Sequence, residues 1–93
     1  MLQAVGDPVR WNILRELVSG SSLSVQELRA RLGGKQSQMS KHLAVLRAAG
    51  ALVPAAAPDG DGRKTHHVVP ESCRRTEAGK PVLDYGVCVV RFG

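Results

Sequence analysis

The first strong pattern in the chain is a stripe of apolar residues with helical spacing over residues 8–19. The apolar side chains recur three and four residues apart along this stretch: Val9, Ile13, Leu14, Leu17 and Val18. Such spacing places them on one buried face of a helix. Asp7 can cap this helix, and Pro8 suits its first position because the N–H that proline lacks is not needed there. The pattern predicts a helix over residues 8–19, ended by Gly20.

Two further helices are predicted immediately after the first. The segment Ser24–Glu27 has the pattern of a capping box, in which the serine hydroxyl accepts a hydrogen bond from the glutamate backbone and the glutamate side chain reaches back. It begins a helix over residues 25–32, which two glycines end. After three residues a third helix follows over residues 36–49, and its inner side carries Met39, Leu43 and Leu46. Two short helices joined by a glycine-containing turn are typical of a helix-turn-helix.

A β-hairpin is predicted after the third helix. Turn-forming residues at 58–62 separate a weak first strand within residues 51–57 from a second strand over residues 63–69. Because Pro54 cannot donate a ladder hydrogen bond, we expect the first strand at the edge of its sheet. A helix-turn-helix followed by a hairpin is the pattern of a winged helix.

The C-terminal quarter is predicted to hold one strand. Residues 70–81 have the composition of a loop, whereas residues 82–92 are rich in β-branched and aromatic side chains and lack helical spacing. We expect a strand over residues 85–92 that is covered on both faces, because the run 87–90 is apolar throughout. The expected fold is α+β and mostly α: a single winged helix-turn-helix domain over residues 1–93, with three to four helices, a hairpin wing and a C-terminal strand.

The charge of the chain favours a polyanionic partner. Its 93 residues carry 13 Lys and Arg against 8 Asp and Glu, which gives a formal net charge of +5. One Trp, one Tyr and one Phe are too few rings for a protein that stacks single-stranded bases. No apolar run approaches the ~20 residues of a membrane span, and no secretory signal pattern is seen. Two cysteines favour a reducing, cytoplasmic setting.

The segment between Ser24 and Gly50 has the chemistry of a surface that binds duplex DNA. It holds five cations and one anion, and cations that neutralise phosphates supply most of the sequence-independent affinity. The outer side of the third helix carries Ser37, Ser40 and Lys41, with Gln36 and Gln38 at its rims near the N-terminus. All five side chains can hydrogen-bond bases or phosphates. On the same side Ala44 and Ala48 are small enough to allow close approach to a groove. The simpler interpretation is a solvated amphipathic helix with ordinary polar residues.

The predicted wing adds two candidate DNA contacts. Arg63 and Lys64 follow the hairpin turn, where they could reach a phosphate or the minor groove, or remain solvated charges at the end of a strand. Asp59 and Asp61 at the tip oppose phosphate contact, so we expect the tip to stand off the DNA backbone.

Three segments of the sequence resemble the arsenical-repressor (ArsR/SmtB) family of transcriptional regulators. They are Asp7–Arg10 with the following Ile13 and Leu14, then Leu23–Leu28, then QSQMSKHLAVLRAAG over Gln36–Gly50. The resemblance covers residues 1–53 well and the wing more loosely. It implies a dimeric DNA-binding repressor whose helix over residues 36–49 enters the major groove.

The chain departs from this family where metal-sensing members bind their ligands. Such members use cysteines at the start of the second helix, where Ser24 and Gln26 stand here. They also use carboxylate and histidine ligands on a C-terminal helix, in place of which we predict the strand over residues 85–92. His66 and His67 are neighbours on a strand and point to opposite faces, so they cannot share one metal. We therefore expect no metal site and no cofactor.

The family resemblance also bears on assembly. In the family the dimer uses the first and last helices. Here we expect a homodimer formed by the first helix and the C-terminal strand, because a two-faced apolar strand in so small a chain needs cover.

Two other functions stay open at this point. Cys73 lies beside Arg74 and Arg75, which could favour its thiolate form and make the chain a thiol- or redox-responsive regulator. The basic face could instead bind an acidic protein, which would make the domain an interaction module. An enzyme is disfavoured because no nucleophile–base pair or metal set can be assembled from the sequence.

Three side chains of the helical half have two interpretations each. We favour a packed, hydrogen-bonded His42 over a base contact. We likewise favour Arg10 and Arg15 as surface charges of the first helix over DNA contacts.

Overall fold

Four helices form the N-terminal half of the chain in a computed structural model, which describes residues 1–58, 60, 62 and 65–92. They are α1 (Leu2–Val5), α2 (Pro8–Leu17), α3 (Val25–Leu32) and α4 (Gln36–Ala48). The Asp7 carboxylate caps α2 by accepting hydrogen bonds from the N–H groups of Val9 and Arg10, at 2.8 and 3.3 Å. The three predicted helices are confirmed, with ends that differ by two residues or fewer. The short α1 is an addition that the apolar pattern did not predict.

The predicted hairpin is part of a three-stranded antiparallel sheet in the order β1–β3–β2. Its strands are β1 (Leu23–Ser24), β2 (Val53–Ala55) and β3 (His66–Val68). Pro54 lies in the edge strand β2 opposite His67, which confirms the expected edge position of that strand. The sequence did not predict β1, which places Ser24 opposite His66 and so ties the start of α3 to the wing.

The C-terminal part of the chain is a second antiparallel sheet. The predicted loop over residues 70–81 is therefore wrong, and of the predicted strand over residues 85–92 only Val89–Arg91 is a strand. A 3-10 helix (Glu71–Cys73) leads into β4 (Arg74–Glu77), β5 (Lys80–Asp84) and β6 (Val89–Arg91), which pair in chain order. The strand β4 has a polar sequence because much of it is exposed, and ion pairs across the sheet hold it. Arg75 lies 3.2 Å from Asp84, and Arg91 lies 2.9 Å from Glu77.

The expectation that residues 87–90 are covered on both faces is also wrong. Gly86, with φ of +83°, and Val87 form a turn between β5 and β6. Val87 is 76% exposed, whereas Val90 is buried. The Tyr85 N–H donates to the carbonyl oxygen of Cys88 at 2.9 Å, which closes this turn. An apolar run with a turn inside it has the same composition as a continuous strand, and the sequence pattern did not separate the two.

Side chains from the helices and both sheets meet in one apolar core. The largest fully buried members are Ile13, Leu14, Leu17, Leu28, Leu43, Leu46, Leu52, Val69 and Leu83. The architecture is an α+β winged helix-turn-helix, as expected. A three-stranded sheet, rather than one strand, stands at its C-terminal end.

Arg10 joins three of the helices. Its guanidinium donates to the carbonyl oxygens of Ala4 and of Gln3, and lies 3.2 Å from Nδ1 of His42 in α4. The interpretation of His42 as a packed, hydrogen-bonded side chain is confirmed. Arg10 is half-buried with three partners inside the domain, so it is not a freely solvated surface charge. That it makes no DNA contact stays a prediction. Arg15 is exposed, with its guanidinium 6.0 Å from the centre of the Phe92 ring.

Candidate nucleic-acid interface

The capping box that begins α3 forms as the sequence predicts. The Ser24 hydroxyl accepts a hydrogen bond from the Glu27 N–H at 3.2 Å, and the Glu27 carboxylate accepts one from the Ser24 N–H at 3.1 Å. The hydrogen bond from the Ser24 backbone lowers the pKa of Glu27, and the charges of His66 and Arg31 act in the same direction. The Glu27 carboxylate also lies 3.6 Å from Nε2 of His66. The start of α3 is therefore fixed to strand β3 of the wing.

Three residues turn the chain from α3 into α4. Gly33 and Gly34 have φ of +80° and +89°, values that residues with a side chain adopt at a cost. The Arg29 guanidinium donates to the carbonyl oxygen of Gly34 at 3.2 Å. This tight turn sets the direction in which α4 leaves the helix pair.

The two sides of α4 differ sharply in burial. Met39, Leu43 and Leu46 are buried in the core with 3% exposure or less. The residues on the outer side are exposed: Gln36, Ser37, Gln38, Ser40, Lys41, Ala44 and Ala48. These seven residues are called the exposed face of α4 below. The five residues that we predicted to contact DNA from α4 are therefore all exposed to solvent, with Gln36 and Gln38 at the two edges of the outer side.

The N-terminal end of α4 is open to a ligand in the part of the chain that the structure describes. Lys35 is the N-cap residue and makes no side-chain capping bond, and no acidic residue stands in the first turn. The first N–H groups of a helix lack partners within the helix and carry a partial positive charge. They are suited to hydrogen-bond an anion such as a phosphate.

Cations of the helix-turn-helix differ in whether a carboxylate neutralises them. Arg31 lies 3.2 Å from Glu16. Within residues 1–58, 60, 62 and 65–92, by contrast, Lys35, Lys41 and Arg47 form no ion pair. Unpaired cations beside the exposed face of α4 attract a polyanion.

In the C-terminal sheet Arg75 and Arg91 are paired, whereas Arg74 and Lys80 form no ion pair with a described residue. Arg75 lies 3.0 Å from Glu77, which also pairs with Arg91. The hydrogen bond and charge of Arg91 lower the pKa of Glu77, and Glu77 in turn raises the pKa of Arg91. Among the described residues, four cations without an ion pair lie on the helix-turn-helix (Arg29, Lys35, Lys41 and Arg47), against two in the C-terminal sheet.

The predicted wing contacts Arg63 and Lys64 lie outside the described residues, as do Asp59 and Asp61 of the predicted tip. Their proposed roles stay predictions.

The histidines of β3 have separate surroundings. His66 is buried, with Nδ1 at 3.3 Å from the carbonyl oxygen of Ser22. His67 is also buried and lines a cleft between the wing and α4. The sequence did not point to this cleft. No group of three or more His, Cys, Asp or Glu that could hold a metal occurs among the described residues.

Both cysteines are free thiols, half-buried and packed against the core. The guanidinium of Arg75 is engaged by Glu77 and Asp84. The guanidinium of Arg74 packs against Gly20 and occupies the space that a side chain at position 20 would need. Arg74 and Arg75 therefore both have contacts other than the Cys73 sulfur, which the sequence had paired with them. A thiol response through Cys73 stays a prediction.

Comparisons with known proteins support a regulatory domain. A family model described as a helix-turn-helix domain matches residues 5–54. Reduced HlyU from Vibrio cholerae N16961 is 31% identical, with a TM-score of 0.66, over 76% of this chain and 70% of that one. A "possible transcriptional regulator for arsenical resistance" is 28% identical, with a TM-score of 0.64, over 76% of this chain and 69% of that one. M. tuberculosis Rv0081 is 30% identical, with a TM-score of 0.63, over 73% and 64% of the two chains.

Two searches gave negative findings. No curated protein matches the sequence. None of the described helices combines the length and hydrophobicity needed to cross a bilayer.

Proposed function

The chain belongs to the ArsR/SmtB-type winged helix-turn-helix transcriptional regulators, and we propose that it is a homodimeric repressor that binds specific sequences in double-stranded DNA. Residues 1–93 act as one domain in this proposal. We assign it no catalytic activity and no cofactor, and we place it in the cytoplasm, where a reducing setting suits two free thiols.

One observation carries the proposal: the exposed face of α4. It combines amide, hydroxyl and ammonium groups with two small alanines on a helix whose opposite side is anchored in the core. In the proposed complex α4 lies in the major groove, where amides pair with adenine and hydroxyls with several bases. The residues that we propose to contact DNA are Gln36, Ser37, Gln38, Ser40, Lys41, Arg63 and Lys64. In a dimer, half-sites are expected about one helical turn, ~34 Å, apart.

Lys41→Ala is the direct test of this proposal. Lys41 is exposed and forms no ion pair with any described residue, so its ammonium is free to neutralise a phosphate. We expect weaker binding. We also expect log affinity to fall less steeply with log salt concentration, with a slope smaller in magnitude by about one. A shift assay with duplex DNA at several salt concentrations measures both quantities.

The control for this test is Lys80→Ala. It removes the same charge from an exposed position at the start of β5, and we expect it to leave the slope unchanged. If the two variants have equal slopes, Lys41 does not contact DNA. If the unmodified protein does not bind duplex even at low salt, the DNA-binding proposal is wrong and an acidic protein partner becomes the better candidate.

An apolar region on α2 and the C-terminal sheet supports the proposed dimer. A cleft of about 540 Å³ is lined by Pro8, Trp11 and Val89, among others. Val9 and Val87 are 41% and 76% exposed. Exposed apolar area marks interaction surfaces, and the cleft is lined from the two segments that the sequence assigned to the dimer. Val9 and Val87 belong to the same two segments but are not part of the cleft lining.

The double substitution Val9→Lys and Val87→Lys should convert the dimer to a monomer. In a two-fold dimer the lysines of one subunit would face the lysines of the other, which repel one another and are costly to bury. In a monomer both positions tolerate a charge because they are exposed. Light scattering over a range of concentrations measures the mass, and Val45→Lys, at a 41% exposed site on α4, is the matched control. A monomeric unmodified protein would refute the dimer.

A further inference from the structure

A cleft of about 280 Å³ opens where α3, α4 and β3 meet, beside the exposed face of α4. Apart from Leu43, its lining residues are Val25, Gln26, Ser40, Arg47, Thr65 and His67. Five of these side chains can donate a hydrogen bond, one of them the positively charged Arg47, and none is a carboxylate. The lining residues therefore favour an anion over a cation.

His67 is the unusual member of this lining. It is 5% exposed, and its Nδ1 has no hydrogen-bond partner among the described residues. A buried polar atom left without a partner costs about 1–3 kcal/mol, and such atoms in a folded protein call for an explanation. A ligand in the cleft that this ring lines would give one.

The charged groups around His67 are mainly positive. Burial lowers the pKa of His67, so the ring adds little charge of its own, and the positive charges of Arg47 and His66 lower the pKa further. It is these neighbouring charges that attract a negative ligand. Of the other charged groups nearby, the Glu27 carboxylate is engaged by His66 and by the capping box. The cleft also lies at the first two residues of α3, Val25 and Gln26, where the helix dipole is positive.

We propose that this cleft is an oxyanion site that binds a phosphate-type group through Arg47, Ser40 and His67. The group has two possible sources: a backbone phosphate of bound DNA or a small free oxyanion. The first source rests on the proposed function, because the cleft adjoins the face of α4 that we assign to DNA. The second does not depend on it.

Inorganic phosphate tests the site directly. We would follow the NMR signals of the His67 ring and the Arg47 Nε–H while phosphate replaces chloride at constant ionic strength. Both signals should shift and saturate together. Arg47→Gln should weaken phosphate binding by about tenfold, because it removes a charge-assisted hydrogen bond from an exposed position that does not hold the core. Lys80→Gln, which removes the same charge from β5, should bind phosphate as the unmodified protein does.

A second titration, with a random-sequence duplex at low salt, distinguishes the sources. If duplex shifts the same two signals and phosphate competes with it, a DNA phosphate occupies the cleft. If phosphate binds but duplex does not, the site is confirmed for a small anion and the proposed DNA-binding function fails. If duplex binds while neither ligand moves the His67 and Arg47 signals, the DNA proposal survives and the oxyanion site is overturned. Phosphate shifts that do not saturate, or that Arg47→Gln leaves unchanged, also overturn it.

Discussion

Leu46→Ala should lower the free energy of unfolding by about 2–5 kcal/mol, because it leaves a cavity where a fully buried side chain of α4 packs. A small domain has a total stability of about 5–15 kcal/mol, so this loss is a large share of it. The melting temperature should fall by roughly 10–30 °C. Because α4 also carries the proposed DNA contacts, binding should fall with the folded fraction at temperatures where the variant is partly unfolded.

Urea unfolding at a fixed protein concentration measures this effect, and the adjacent residue supplies the control. Val45 is 41% exposed on the same helix, so Val45→Ala should change the stability by no more than about 0.5 kcal/mol. Protein concentration must be held constant because dimerisation would add to the apparent stability. If Leu46→Ala and Val45→Ala unfold at the same urea concentration, the side of α4 that we describe as buried is not buried in solution.

The helices were predictable because their signals are local. Each helix signal lies inside or next to the helix that it predicts. The signals are apolar residues that recur every three to four positions, the Asp7-Pro8 start and the capping box. For the same reason the exposed face of α4 was identified from the sequence alone. Once Met39, Leu43 and Leu46 are assigned to the core, helix geometry decides which side chains point outward.

The C-terminal sheet was not predictable by the same means. The sequence Arg74–Glu77 has no apolar alternation, and it becomes a strand because its backbone pairs with β5. Arg75 and Glu77 also form ion pairs with residues of β5 and β6. The two-residue β1 depends likewise on pairing with β3, more than forty residues away. Pairing energy of this kind comes from tertiary contacts and leaves little trace in composition.

The oxyanion cleft was missed for a related reason. Its lining residues come from the start of α3, from α4, and from β3 with the residue before it. No spacing rule connects Gln26, Arg47 and His67 along the chain. Only the fold brings them together, whereas the residues of the exposed face of α4 lie on one helix and could be recognised as a group.

Ala44→Glu should reduce DNA affinity by about 100-fold or more while leaving the fold intact. Ala44 lies on the exposed face of α4 between Lys41 and Ala48. A glutamate there would add bulk where we propose close contact with the groove, and its charge would repel phosphates. It would also stand three residues after Lys41, close enough to pair with that ammonium and remove it from the DNA. Because glutamate is a good helix former and the site is exposed, stability should change by less than about 1 kcal/mol.

Ala78→Glu makes the same substitution in the exposed turn between β4 and β5, an element that we do not assign to DNA contact. Duplex affinity at low salt, measured for both variants beside a thermal melt, separates loss of binding from loss of fold. Because both variants change the net charge equally, any difference between them reports position rather than charge alone. Equal affinities for the two would mean that the outer side of α4 does not enter a groove, and the assignment of Gln36–Lys41 as DNA contacts would then have to be abandoned.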